Sequence, residues 1–171
     1  MAQPDLFTDR GAVFSDCGRY RTLLWRRWDP SLRPANFLLL NPSTADEIKN
    51  DPTVERCERR ARAMGYGGLI VTNAFALRST DPKALYAEPD PVGPGNPEAI
   101  VEAARAAALV VCGWGRHCDA VRPGWGRALL RMLAEEAGAV PHALAITSDG
   151  SPKHPLYVGY AVQPAPVPAP V

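Results

Sequence analysis

The sequence predicts an α/β protein with three layers, in which helices cover both faces of a central, mainly parallel sheet. Four short apolar runs, at 37–40, 69–72, 109–112 and 143–146, have the length and composition of strands buried on both faces. Three helical patterns separate these runs, which favours parallel pairing through right-handed crossovers. Each run ends in polar or glycine-rich residues, and ligands of α/β sheets bind at such strand ends.

Length and composition indicate one globular domain. The chain has 171 residues, of which 46% are apolar and 22% charged. We predict a single domain over 1–162 and a disordered tail over 163–171, where proline alternates with alanine and valine. No apolar run is long enough to span a membrane, and the N-terminus does not resemble a signal peptide. We therefore expect a cytoplasmic monomer that does not bind membranes.

The charge pattern bears on the class of ligand. Net charge is +1, so no global basic field for nucleic acid exists. Of the 19 cationic residues, 16 are arginine, which binds phosphate through two parallel hydrogen bonds. This composition is compatible with a phosphate-bearing ligand.

The N-terminal segment is predicted to form a hairpin. Residues 1–12 are expected to be a loose lead-in, and residues 13–28 an antiparallel hairpin at a sheet edge, with its turn at Asp16-Cys17-Gly18. Arg26 and Arg27 would then be edge charges that discourage pairing with other chains.

The first buried strand stops at a possible site residue. Leu38-Leu39-Leu40 runs directly into Asn41-Pro42, and proline lacks the donor that a central strand needs. Asn41 would therefore stand at a strand end, where a ligand site belongs. The alternative is that Asn41 only makes a turn through its side chain. The local sequence supports these two interpretations equally.

The next element is a well-marked helix. Asp51 is a suitable N-cap, Pro52 suits the first helical position, and Gly65 ends the pattern. The basic run Arg59-Arg60-Ala61-Arg62 fits a solvated helix face better than a nucleic-acid patch.

The remaining strands also end in polar or glycine residues. The strand at 69–72 ends at Asn73, and the loop to residue 82 carries Arg78. Asn96 and Pro97 are expected to cap and open a helix to about residue 107, and a third helix covers 125–137. The strands at 109–112 and 143–146 lead into further loops. Four residues at these ends are predicted to converge on one edge of the sheet: Asn41, Asn73, Trp114 and His154.

Several site chemistries are not indicated by the sequence. It has no Gly-x-Gly-x-x-Gly, Walker or Gly-x-Ser-x-Gly motif. Its four cysteines show no Cys-x-x-Cys spacing, and its three histidines lack metal-ligand spacing, so we expect no metal and no cofactor. Amides, a histidine, arginines and aromatic groups remain. Amides match the donor and acceptor edge of a nucleobase, and aromatic rings can stack on its face.

Four segments, in order, resemble the uracil-DNA glycosylase superfamily between about residues 36 and 158. Leu39-Leu40-Asn41-Pro42-Ser43 is similar to its first motif, and Val71-Thr72-Asn73-Ala74-Phe75 to its base-reading strand. Ala108–Gly115 resembles the strand and glycine segment that follows its middle helix, and His154-Pro155-Leu156-Tyr157 resembles its His-Pro-Ser motif. The resemblance implies the fold of that superfamily. It also implies that Asn41 positions the attacking water, Asn73 reads the base and His154 stabilises the leaving base.

The chain is also identified as a member of an uncharacterised bacterial domain family, and this match is closer. The segments that carry it are Leu40-Asn41-Pro42-Ser43-Thr44-Ala45, Asp51-Pro52-Thr53, Asn73-Ala74-Phe75-Ala76-Leu77-Arg78 and Lys153-His154-Pro155-Leu156-Tyr157. Membership of that family implies no particular activity.

Three departures from the glycosylase motifs are visible. Leu39 and Ser43 replace glycines that let the backbone approach a ligand, and Leu156 replaces the serine of His-Pro-Ser. No cysteine lies beside Arg78, so the resemblance implies no iron–sulfur cluster.

The leading hypothesis is a glycosylase-like hydrolase that cleaves the N-glycosidic bond of a modified or deaminated base in DNA or a nucleotide. Lys153 or Arg78 would supply charge for a phosphate or oxyanion. Asp46 and Asp51 are candidate bases, although Asp51 is better explained as a helix cap. The other expected ligand-binding residues are Pro42, Ser43, Thr44, Phe75, Trp114, Leu156 and Tyr157.

The alternative hypothesis is a non-catalytic binding module. It would hold a nucleotide, a modified base or single-stranded nucleic acid in the same pocket without activating water.

Overall fold

Seven strands form one mixed sheet in the part of the chain that the computed structural model describes, residues 10–168. In chain order they are β1 (Arg10–Phe14), β2 (Arg21–Arg27), β3 (Ala35–Leu39), β4 (Gly68–Asn73), β5 (Leu109–Gly113), β6 (Pro141–Ala143) and β7 (Ala165–Pro166). Their spatial order is β1-β2-β4-β3-β5-β6-β7.

The centre of the sheet is parallel. β3 lies between β4 and β5 and runs parallel to both, with Phe37 opposite Val71 and Val111. β6 continues the parallel pairing beside β5. All residues of β3 and β4 are buried, which explains their nearly continuous apolar sequence.

Helices cover both faces of the sheet, so the prediction of an α/β fold is confirmed. Residues 10–168 contain five α-helices, which are α1 (Pro52–Ala63), α2 (Lys83–Ala87), α3 (Asn96–Ala106), α4 (His117–Val121) and α5 (Trp125–Glu135). Alternate side chains of β3 enter different cores. Phe37 packs in the cluster that holds Val54 and Cys57 of α1, whereas Leu38 packs in the cluster of Ile100 and Leu129 from α3 and α5.

The predicted hairpin is present, but its position differs from the prediction. β1 begins at Arg10, so the loose lead-in is wrong for residues 10–12, and residues 1–9 lie outside the described range. β2 is not an edge strand, because it pairs with β1 on one side and β4 on the other. Arg26 is buried and donates to the carbonyls of Asp46 and Lys49, so its prediction as an edge charge is wrong.

The C-terminal strands also differ from the prediction. β6 covers 141–143 rather than 143–146, because beyond Ala143 the chain folds into a loop in which Ile146 bridges Pro152. Residues 165–166, predicted to be disordered, form β7, which pairs antiparallel with β6. The backbone N–H of Val167 donates to the Pro141 carbonyl at 2.8 Å. Residues 169–171 of the predicted tail lie outside the described range.

Helix starts depend on different caps. The Asp51 carboxylate accepts the Val54 N–H at 2.9 Å, as predicted for an N-cap. Asn96 is not a cap: Gly95 precedes α3 with φ of 73°, and the Asn96 amide donates to the Asn73 carbonyl at 2.9 Å. Within the described residues, no helix is long and apolar enough to cross a membrane.

Candidate functional site

A cleft of about 760 Å³ opens at the carboxyl ends of β3 and β5 and at the start of α1. The loops around 79–82 and 147–157 complete its walls. Seven of the predicted site residues line it: Asn41, Ser43, Trp114, Lys153, His154, Leu156 and Tyr157. Its position matches the general rule for ligand sites in α/β sheets.

Asn73, Phe75 and Arg78 do not line the cleft. The Asn73 side chain is buried and accepts a hydrogen bond from the Arg21 guanidinium at 3.5 Å, and Phe75 is fully buried in the core. Arg78 donates to the Gly18 carbonyl in the turn between β1 and β2. Asn73 lies at the predicted edge of the sheet, since it is opposite Leu39 at the end of β3, but its side chain does not enter the cleft.

Pro42 and Thr44 flank the cleft without lining it. Pro42 is buried, and its carbonyl accepts the Ser79 N–H at 2.9 Å. Thr44 is exposed to solvent on the same loop. Both residues shape the loop that carries Asn41 and Ser43.

Asn41 anchors this loop and also faces the cleft. Its amide nitrogen lies 3.0 Å from the Ser79 carbonyl and 3.2 Å from the Pro42 carbonyl. These bonds orient the amide, and its oxygen accepts no hydrogen bond from the described residues. Asn41 can therefore offer an acceptor to a water or a ligand, so the turn and the site interpretations of this residue are compatible.

His154 presents a neutral imidazole to the cleft. The backbone N–H of Leu156 donates to its Nδ1 at 3.2 Å, so the ring proton of the neutral form is on Nε2. Burial lowers the pKa of His154 to about 4, and the Asp51 carboxylate only partly opposes this shift. Near neutral pH, Nε2–H is a hydrogen-bond donor without positive charge.

Close packing against β5 fixes the segment that carries His154. A Cβ atom on Gly113 would lie 2.8 Å from Cδ of Pro155, so only glycine fits at the end of this strand. The Gly115 N–H donates to the Pro152 carbonyl, and the Lys153 N–H to the Ala145 carbonyl, both at 2.8 Å.

Two arginines of α1 hold the chain beyond His154. Arg56 donates to the carbonyls of Pro155 and Val158, and Arg60 to those of Val158, Gly159 and Val162. Arg60 is only 4% exposed, so the prediction that the basic run is a solvated face is wrong for this residue. Burial lowers the pKa of Arg60.

The carboxylate in the cleft is Asp51. Its Oδ1 accepts the Val54 N–H, and its Oδ2 accepts the Ala45 N–H at 3.3 Å. Arg21 is buried next to it and donates to the Ala45 carbonyl at 3.0 Å. Burial lowers the pKa of Arg21 to about 10, against the opposing effect of Asp51. Asp46, the other candidate base, accepts two N–H groups of its own loop and does not line the cleft.

Sequence reasoning missed several lining residues. Arg116 and His117 follow the Gly113-Trp114-Gly115 turn, and their position just after a strand end was an available signal. The Nδ1 atom of His117 is 2.9 Å from the Tyr86 hydroxyl. Thr53, Thr80 and Thr147 come from three separate segments. The family motif Asp51-Pro52-Thr53 marks the first of them, and no local pattern marks the other two.

Fold and cleft together define an α/β protein with a cleft at the carboxyl edge of its sheet, lined by apolar and polar residues that include Arg116 and Lys153. Residues 19–156 match the family described as "Protein of unknown function (DUF1643)", and the chain belongs to this family. Comparisons with curated proteins and with solved structures both found no match. Membership of an uncharacterised family is thus confirmed, and the likeness to uracil-DNA glycosylases stays a prediction.

Proposed function

We propose that this protein is a glycosylase-like hydrolase that cleaves the N-glycosidic bond of a modified or deaminated base in DNA or in a nucleotide. One observation carries the proposal: the Asn41 amide and the neutral His154 imidazole line the same cleft. The first supplies an acceptor for a water proton, and the second supplies a donor for the departing base.

The reaction needs only water as co-reactant. A water held by Asn41 Oδ1 attacks the anomeric carbon, and the new C–O bond replaces the C–N bond, whose electron pair leaves with the base. His154 Nε2–H donates a hydrogen bond to the base as negative charge develops on it. The proton of the attacking water passes to the departing base or to solvent.

Recognition of the base belongs, in this proposal, to side chains that line the cleft. Asn73 is excluded from this role because its amide is buried against Arg21. The hydroxyls of Ser43 and Thr53 can contact the base edge, and the exposed ring of Tyr157 can stack on its face.

A specific observation favours the second candidate, a non-catalytic module that binds a nucleotide, a modified base or single-stranded nucleic acid. Among the described residues that line the cleft, Asp51 is the only carboxylate, and both its oxygens accept backbone N–H groups. A carboxylate so engaged is a weak base for activating water.

Base release from defined substrates tests the proposal. The protein is incubated with oligonucleotides and nucleotides that carry uracil, hypoxanthine, xanthine or hydroxymethylated bases, and free base is measured by mass spectrometry. We expect Asn41→Ala and His154→Ala each to reduce release by about 10²-fold or more, because each removes a group that acts in the transition state. His142→Ala, outside the cleft, is the control and should release base at the wild-type rate.

The possible outcomes separate the two candidates. Asn41→Ala should retain substrate affinity if the protein is an enzyme. Tight binding of one substrate without any base release would instead establish the binding module. Absence of both binding and release would contradict both candidates.

A further inference from the structure

Most arginine side chains of this protein donate hydrogen bonds to backbone carbonyls of the same chain. Nine guanidinium groups donate to backbone carbonyls: Arg10, Arg21, Arg26, Arg27, Arg33, Arg56, Arg60, Arg78 and Arg105. The arginine-rich composition is therefore largely explained by internal structure, and few of these cations remain for an external phosphate.

Two cations in the cleft differ from this majority. The side chains of Lys153 and Arg116 both line it, and neither makes a hydrogen bond or an ion pair within residues 10–168. The pKa of Asp149 is lowered mainly by the Thr147 hydroxyl, with a smaller contribution from Arg116. The backbone of Lys153 is nevertheless held in place, because its N–H donates to the Ala145 carbonyl.

We propose that Lys153 and Arg116 form a phosphate subsite, and that the ligand of the cleft is a free nucleoside 5′-monophosphate. This inference rests on the proposed function and names its substrate class. A guanidinium and an ammonium that line one cleft suit a phosphate dianion, with the planar guanidinium binding two of its oxygens. The cleft volume of about 760 Å³ also falls within the range of small-molecule sites.

The small number of cationic side chains in the cleft favours a single nucleotide over a nucleic-acid strand as its ligand. Proteins that bind strands contact many successive phosphates, whereas the described residues that line this cleft include two cations, Lys153 and Arg116, without a hydrogen bond or ion pair. Arg56 is committed to carbonyls of the C-terminal segment. Tyr157 is 72% exposed, and its ring centroid is 6.0 Å from that of His154, so it provides a stacking surface for one base beside the imidazole.

Calorimetric titration with matched ligand pairs tests the subsite. The full chain is titrated with dUMP, deoxyuridine, dIMP, deoxyinosine and a trinucleotide without a terminal phosphate. We expect at least one monophosphate to bind about tenfold more tightly than its nucleoside, as for charge-assisted hydrogen bonds. Arg116→Gln and Lys153→Gln should each remove most of this advantage and leave nucleoside affinity unchanged.

Arg127→Gln is the matched control, because Arg127 is an exposed arginine of α5 that does not line the cleft. It should bind all five ligands as the wild type does. Equal affinity for both monophosphates and their nucleosides would overturn the subsite. It would also be overturned if only the trinucleotide binds, or if none of the ligands binds.

Mass spectrometry of the same samples separates this inference from the proposed function. Phosphate preference without released base supports the subsite and argues against the hydrolase. Released base without phosphate preference supports the hydrolase and overturns the subsite.

Discussion

His154 combines two properties that its sequence motif does not reveal. The Leu156 N–H assigns its tautomer, and burial keeps the ring neutral. A neutral Nε2–H group can donate a hydrogen bond to negative charge that develops on a leaving group. The chemistry available at this residue therefore depends on its surroundings as much as on its identity.

The pKa of His154 predicts a pH dependence of stability. It falls from 6.5 in the unfolded chain to about 4 in the fold, so between these values only the unfolded chain gains the proton. The contribution of His154 to the free energy of unfolding is complete above pH 6.5. It should decrease by up to about 1.4 kcal/mol per pH unit as the pH falls through this window.

Urea unfolding of the wild type and of His154→Gln between pH 4 and pH 7 measures this contribution. The stability difference between the two proteins should decrease as the pH falls from 6.5 towards 4. A constant difference for His154→Gln across the window would contradict the assigned pKa.

Gly113 is a second residue whose role depends on close contact. We expect Gly113→Ala to lower the free energy of unfolding by about 1–3 kcal/mol, because its Cβ would lie 2.8 Å from Pro155 and 3.3 Å from the Lys153 carbonyl. Gly159→Ala is the control, since a Cβ there meets no atom within 4 Å. Urea unfolding of both variants checks the expectation, and equal stabilities would refute it.

At the scale of elements, α1 connects three parts of the site. Its N-terminal residues Pro52 and Thr53 line the cleft, and its cap Asp51 also binds the loop that follows β3. From the same helix, Arg56 and Arg60 hold the segment that follows His154. One helix thus sets the relative position of two walls that are about a hundred residues apart in sequence.

Substitution of Arg60 tests this connection. Arg60→Lys retains the charge but loses the planar fork that reaches three carbonyls, so we expect a loss of about 1–3 kcal/mol in the free energy of unfolding. In limited proteolysis, the Arg60→Lys variant should also be cleaved in the segment after Tyr157 sooner than the wild type. Arg59→Lys, at an exposed neighbour whose guanidinium lies 4.9 Å from the centre of the Tyr160 ring, should behave like the wild type. Equal behaviour of the two variants would exclude a clamping role for Arg60.

At the scale of the molecule, β7 covers an otherwise open edge of the sheet. β6 is short and pairs with β5 on one side, and the antiparallel contact of β7 protects the other side. An unpaired strand edge is a template for association with another chain. The C-terminal segment therefore has a structural function that its proline-rich composition does not indicate.

Truncation measures this function. Removal of 163–171 deletes β7 and the bond from Val167 to Pro141, and we expect the melting temperature to fall by about 2–4 °C for each kcal/mol lost. Self-association should increase, as measured by light scattering after size-exclusion chromatography. Removal of 169–171 alone is the control, and indistinguishable behaviour of the two truncations would contradict a protective role.

The sequence by itself determined the elements that local chemistry specifies. The apolar runs of β3, β4 and β5 predicted buried parallel strands, and Asp51-Pro52 predicted the start of α1, because burial on both faces and capping leave local patterns. The order of polar residues after the strands also identified Asn41 and His154 as residues at one edge of the sheet.

Only the tertiary structure decided which of these strand ends share a cleft. Asn73 is at the predicted edge, but its side chain contacts the buried guanidinium of Arg21, which is 52 residues away in sequence, and does not line the cleft. The inward position of Arg60, the pairing of β7 and the neutral state of His154 also depend on partners far away in the chain. Hydrogen bonds and burial between distant segments leave no periodicity in the sequence, so these features could not be predicted from it.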